Sequence, residues 1–185
     1  YEDSSLPTLP VEGEESEGLI TTDDSISNPT VVDFSTQTTV VSIPGPIQIG
    51  DLIGEDITVT GDPNTGLYTN FNGWGLSNNG SWGGDMTYIS ANNARPGTLL
   101  FSFNDGPVSA AGGVMNQAKG GSDLSITAYD AGMNVLETYK ITELANSDTP
   151  NGFNEGAFRG IDRGVNDIAF FEVRGFVPVV DDITF

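Results

Sequence analysis

Leu124-Ser-Ile126-Thr-Ala128-Tyr129, Asp130-Ala-Gly132-Met-Asn134 and Val135-Leu-Glu137-Thr-Tyr139-Lys-Ile141 run on from one another, and the way they read decides the fold. The outer two segments alternate with a period of two residues, the period of a strand with one buried face and not that of a helix. The short polar loop between them carries a glycine, so the stretch predicts a β-hairpin with Gly132 supplying the positive φ of the turn.

The same rhythm continues in both directions. Short β-branched and aromatic runs separated by Gly, Asn, Asp and Pro predict strands at 31–34, 38–43, 56–60, 67–70, 86–90, 98–103, 108–115, 157–161, 168–174 and 177–185, besides the hairpin strands 124–130 and 135–141. Leu99, Phe101 and Phe103 fall on one face of their strand, and Phe171 and Val173 on one face of theirs. Helical signals are nearly absent; one turn is expected at 142–145. Many short strands with regular turn signals predict an all-β fold, an antiparallel β-sandwich over residues 31–185.

Residues 1–30 read differently. They contain eight acidic residues, no basic residue and prolines at 7, 10 and 29. Such a segment buries little apolar area, and the expectation is an extended acidic arm. Its strand-like piece is Gly18–Thr22, with a further apolar point at Ile26. Leu19, Ile20 and Ile26 are therefore the candidate contacts of a strand donated to a neighbouring molecule.

The whole chain has 185 residues, 26 Asp plus Glu against 6 Lys plus Arg, a formal charge of -20, no Cys and no His. Thiol chemistry, Ser-His triads, histidine proton shuttles and thiolate zinc sites all lack their side chains. The charge predicts repulsion from nucleic acid and from anionic lipid, since both require clustered cations. No run of 18 apolar residues is present, so no membrane insertion is expected. The start at Tyr1, without a basic and apolar leader, gives the expectation of a processed, soluble piece. An excess of carboxylates suits a saline or calcium-containing exterior.

Three features are candidates for chemistry. The ending Val177-Pro-Val-Val-Asp181-Asp182-Ile-Thr-Phe185 places two carboxylates inside an apolar last strand, which is costly unless they are solvated or neutralised. Calcium, which takes six to eight oxygen ligands, would neutralise them, with Asp33 as co-ligand if the first and last strands pair. Strict alternation would put Asp181 and Asp182 on opposite faces, one binding and one facing water. The second feature is the Asn- and Gly-rich stretch from Gly66 to Asp85, which contains both tryptophans. Tyr68, Trp74 and Trp82 beside Asp85 would make a carbohydrate platform if their rings are exposed, and would close one end of the sandwich if buried. The third is the stretch 151–163, where Arg159 and Arg163 lie near Glu155 and Asp162 and predict carboxylate forks that pin a loop. An acid–base pair of Glu155 with Asp162 or Asp85 is the enzymatic alternative, and the expectation is that the protein is not an enzyme.

Several segments in order, Gly45–Thr60, Gly80–Asp85, Phe103–Ser109, Gly112–Asn116, Ile126–Asp130, Gly156–Ile161 and the closing Asp181-Asp182-Ile-Thr-Phe185, resemble exported bacterial proteins of the PEP-CTERM-associated type over residues 31–185. The resemblance implies a secreted jelly-roll sandwich, and its closing segment is similar to the last strand of carbohydrate-binding modules in which an Asp ligates structural calcium. Carried to this sequence, it marks Asp181 or Asp182. The Pro-Glu-Pro signal, apolar span and basic end of that type do not follow here, so the expected chain is processed or released. The functional expectation is an extracellular or cell-surface structural protein that self-associates into filaments or a matrix, with a calcium-stabilised sandwich and a donor-strand contact. The alternative is a polysaccharide-binding module.

Overall fold

The computed structural model describes residues 18–34, 41–43, 47–48, 57–62, 65–68, 87–91, 96–117, 124–144 and 157–185. In chain order the strands are β1 (Leu19–Ile20), β2 (Val31–Val32), β3 (Val41–Ile43), β4 (Ile47–Gln48), β5 (Ile57–Gly61), β6 (Thr65–Tyr68), β7 (Tyr88–Ala91), β8 (Gly97–Phe103), β9 (Ala110–Asn116), β10 (Ser125–Tyr129), β11 (Val135–Lys140), β12 (Ala157–Asp162), β13 (Phe170–Gly175) and β14 (Val179–Thr184). A 3-10 turn spans Asp23–Ser25, and one helical turn, α1, spans Ile141–Leu144. All strand pairings are antiparallel and form two sheets. An eight-stranded sheet runs β1-β12-β9-β14-β7-β6-β3, with β2 also on β14, and a six-stranded sheet runs β11-β10-β13-β8-β5-β4.

The alternation that predicts the strands also builds the core. Along β8 buried and half-buried residues alternate without a break, and Leu99, Phe101 and Phe103 point inward. Phe171 lies opposite Phe101 in register and Val173 opposite Leu99, so both pairs face the other sheet together. That sheet contributes Ile89, Ala111, Met115, Ile161, Val180 and Ile183 to the same core. A β-sandwich is thus the fold, with the two inner faces sharing one apolar layer.

Two local expectations change. The hairpin at 130–134 forms, but the positive φ belongs to Met133, at 60°, and Gly132 does not need it. The turn is set by Asp130, whose carboxylate accepts from the amides of Gly132 and Asn134, both at 2.8 Å, and from the Asn134 side chain. Those bonds, the Asn134 side chain first among them, hold the Asp130 carboxyl below its ordinary pKa. The second change concerns β4, a two-residue strand that pairs with β5 and that the sequence pattern does not mark.

The described part of the acidic arm belongs to the sandwich. β1 pairs with β12 of the same chain, Leu19 opposite Ile161 and Ile20 opposite Gly160, and Ile26 is buried. The strand contact expected with a neighbour is thus made here in cis.

Glycines allow β12 and β9 to approach closely. Gly160 sits opposite Gly112, and a Cβ on Gly112 would lie 2.6 Å from the Phe158 ring and 2.7 Å from the Arg159 carbonyl oxygen. Backbone cannot move aside as a flexible side chain can. Gly112→Ala is therefore expected to destabilise the fold by about 1–3 kcal/mol, read as a lowered urea midpoint; an unchanged midpoint would show that the strands can separate freely.

Candidate functional site

The closing strand β14 has β9 along one side, and its other side is shared. β7 pairs with Val179 and Val180, while β2 pairs with Ile183 and Thr184. Asp181 and Asp182 lie at the junction between these two partners. On the β9 side the register also shifts there: Asp181 faces Val114 and Thr184 faces Gly112, so three steps along β14 match two along β9. This is a β-bulge, one extra residue on the closing strand.

The bulge overturns strict alternation at this point. Asp182 takes a left-handed conformation with φ 47°, which Asp tolerates better than most residues. Its amide donates to Asp181 Oδ1 at 2.8 Å, and its carbonyl accepts from the Thr184 hydroxyl at 2.9 Å. Instead of facing opposite ways, both carboxylates come to the same place. Asp33 joins them from β2: with Val32 opposite Ile183, the next step of the antiparallel register puts Asp33 beside Asp182. The ends are fixed by Thr30 and Phe185, which exchange both backbone hydrogen bonds, at 2.8 and 3.0 Å. The Phe185 ring packs on Phe103 of the other sheet, 4.8 Å between centroids.

The structure thus brings together the three carboxylates singled out in the sequence. One oxygen from each of Asp33, Asp181 and Asp182 lies within 4.8 Å of the others. Asp181 is buried at 3% exposure, Asp182 is half-buried and Asp33 is exposed, so the cluster opens to solvent on one side. Two full charges at such a separation repel by about 3 kcal/mol at an effective dielectric of about 20. Ligand oxygens on one calcium ion, at about 2.4 Å from it, lie at most about 4.8 Å apart. The donor set, hard carboxylate oxygens without His or Cys, fits that ion class and could hold it, with carbonyls or water completing the shell.

A second polar cluster holds the arm. The Gly18 carbonyl accepts from the Asp162 amide at 2.8 Å, and its amide donates to the Tyr139 hydroxyl at 3.3 Å. Tyr139 in turn donates to Glu137, and Arg163 binds Glu137 with one arm and Asp167 with the other, at 2.5 and 3.0 Å. Hydrogen bonds to Asp167 and Glu137 push the Arg163 pKa up. A Cβ at residue 18 would fall on the Glu137 carboxylate, so a larger residue there has to displace that carboxylate from its bonds to Tyr139 and Arg163. Gly18, Glu137, Asp162, Arg163 and Gly164 line an open cavity of about 400 Å³. Sequence reasoning picked out Arg163 but looked for its partner nearby, at Glu155 or Asp162. The available signal was Glu137 itself, which with Tyr139 shares the face of Ile141, a buried position.

Of the other sequence candidates, Trp74, Trp82, Asp85 and Glu155 lie outside the described residues. Tyr68 ends β6 opposite Tyr88. Asp162 uses its carboxylate locally, accepting from the Gly164 amide at 2.8 Å. No helix among the described residues is long and apolar enough to cross a membrane.

Fold and site define a β-sandwich whose closing strand carries a carboxylate cluster at a bulge. No protein-family model matches the chain, and no curated protein matches it significantly.

The arm clamp has a pH signature. Burial, followed by the hydrogen bond to Glu137 and its charge, pushes the Tyr139 hydroxyl from about 10 up to about 12. The folded state therefore keeps a proton that the unfolded chain releases. The stability it contributes is fully present below pH 10 and lost as pH rises to about 12. A stability–pH profile is expected to fall across that window, and Tyr139→Phe to flatten the fall; identical profiles would detach Tyr139 from the clamp.

Proposed function

We propose that the protein is an extracellular structural module, a self-associating subunit of a filament, surface layer or matrix, whose sandwich is stabilised by calcium bound at Asp33, Asp181 and Asp182. The observation that carries this is the convergence of the three carboxylates at the bulge, where β14 passes from β7 to β2. A divalent cation there offsets their repulsion and ties the first strand of the body to the last. Ion binding would then be folding free energy, because both ends of the chain's body must be in place to form the site. The charge of -20 favours an environment that supplies such cations and screens the surface. The ordered resemblance to exported bacterial PEP-CTERM-associated proteins points to the same side of the membrane.

Thermal melting in chelator and in calcium tests the ion. At calcium 100-fold above its dissociation constant the wild-type chain gains about 2.7 kcal/mol, a rise in midpoint of roughly 5–11 °C for a chain of this length. Asp33→Asn loses most of that rise and, having one charge fewer in the cluster, melts no lower than wild type in chelator. A wild-type midpoint that ignores calcium would reject the site. Electron microscopy of the calcium-loaded protein tests the assembly: filaments or sheets support it, and dispersed single particles at every concentration oppose it.

A further inference from the structure

At one end of the eight-stranded sheet the short β1 lies on β12, and it covers the outer side of β12 unevenly. β1 pairs only with Gly160 and Ile161, and its preceding residue, Gly18, reaches the Asp162 amide. Among the described residues no strand pairs with the outer side of the first half, Ala157–Arg159. In a strand, backbone groups two residues apart point to the same side. Asp162, which bonds to Gly18, thus shares its outward side with Gly160 and Phe158. The Phe158 carbonyl does not stay open: the Arg159 guanidinium, which is partly desolvated, donates to it at 2.6 Å. A charged side chain held at the rim is a known way of stopping strand addition to an edge. β12 therefore has one accepting half, occupied by β1, and one blocked half.

The accepting half is specific in shape. Leu19 packs against the core, Gly160 gives Ile20 room to lie close, and Gly18 lies against the Glu137 carboxylate, which a larger residue would push out of its bonds to Tyr139 and Arg163. Gly18 also touches both sheets, through Asp162 on one and Tyr139 on the other. What holds β1 in place is this socket, yet the strand itself is two residues long. A terminal strand with so few ladder bonds opens locally at much lower free energy than the core strands. The same segment of another copy fits the vacated socket with every contact reproduced, so the exchange costs little beyond bringing two chains together.

We propose that β1 is an exchangeable strand: Gly18, Leu19 and Ile20 of one copy occupy the β12 edge of a second copy, and Arg159 confines the incoming strand to this register. The proposal rests on the self-association read above and names its donor and acceptor surfaces. Each chain carries one donor and one acceptor, so the product is a closed ring or an open fibre. Two chains each bearing a formal charge of -20 repel, so exchange rises with ionic strength or added calcium.

The chain has no cysteine, which makes a direct test clean. Leu19→Cys and Ile161→Cys chains, one tagged, are mixed in calcium under mild oxidation, and cross-links are resolved without reductant. A tagged–untagged disulfide whose yield increases with concentration supports exchange, because residues 19 and 161 face one another only across β1 and β12. Gly18→Val in the otherwise native chain is the second variant and leaves the core untouched; it is expected to remain monomeric where wild type assembles. Wild type that assembles while no mixed disulfide forms and Gly18→Val still assembles overturns the exchange and leaves self-association standing. Wild type that stays monomeric throughout overturns both. The calcium reading is decided separately by the melting experiment.

Discussion

A single inserted residue in β14 is the constraint on which the centre of the molecule depends. Without it, Asp181 and Asp182 would alternate, and one of them would point into the core or into the gap between strands unaccompanied. With it, β14 turns at the place where its neighbour changes from β7 to β2, and both carboxylates converge at that junction, Asp181 buried and Asp182 half-buried. The left-handed Asp182 is the local cost. It is held by its amide bond to Asp181, its carbonyl bond to Thr184 and the paired ends Thr30 and Phe185. Strain fixed from several directions in this way persists only where the surroundings determine it.

The two flanks of the sandwich then divide the remaining work. At the centre, β2 and β14 join residues about 150 positions apart in sequence, an entropically costly closure that the burial of Val32 and Phe34 beside Ile183 helps to offset. At one edge, β1 covers part of β12 while Gly18 bridges to the edge strand β11 of the other sheet through Tyr139. The acidic arm is thus not simply appended. Its described end closes the open side of the sandwich, and the Glu137, Tyr139 and Arg163 cluster determines how firmly.

Most of the fold was legible in the sequence because period-two alternation and Gly, Asn and Pro punctuation act locally. Every strand expected from that pattern has a counterpart. β4 was not legible: two residues between Pro46 and a glycine-rich stretch carry no period. The carboxylate cluster was legible in part. Asp33, Asp181 and Asp182 stood out as charges in apolar strands, but alternation sent the last two to opposite faces, because alternation assumes unbroken pairing and the change of partner is a tertiary event. Arg163 shows the same limit, since its partner Glu137 lies 26 residues away across two sheets. Gly132 shows a different one. A glycine in a loop suggests where φ is positive, yet the Asp130 carboxylate organised the turn by hydrogen bonding and left that conformation to Met133.

Charge links the centre to the edge. A charge of -20 opposes the approach of two copies unless something screens it, and a solvent rich in divalent cations would both screen the surface and, in the proposed reading, supply the carboxylates at the bulge. The two effects act on different strands but in the same direction. In the reading proposed above, a cation at the bulge would tie β2 to β14 and stiffen the body, while screening would let a second body approach the β12 edge. The moving part in that exchange would be β1 together with the segment that links it to β2, which includes the 3-10 turn Asp23–Ser25 and the buried Ile26. Arg159 matters in that setting because a screened surface loses its protection against indiscriminate edge pairing. A guanidinium bonded to the Phe158 carbonyl is a short-range block that salt does not remove as readily, so association through this edge, as proposed, would be confined to the register that the socket recognises.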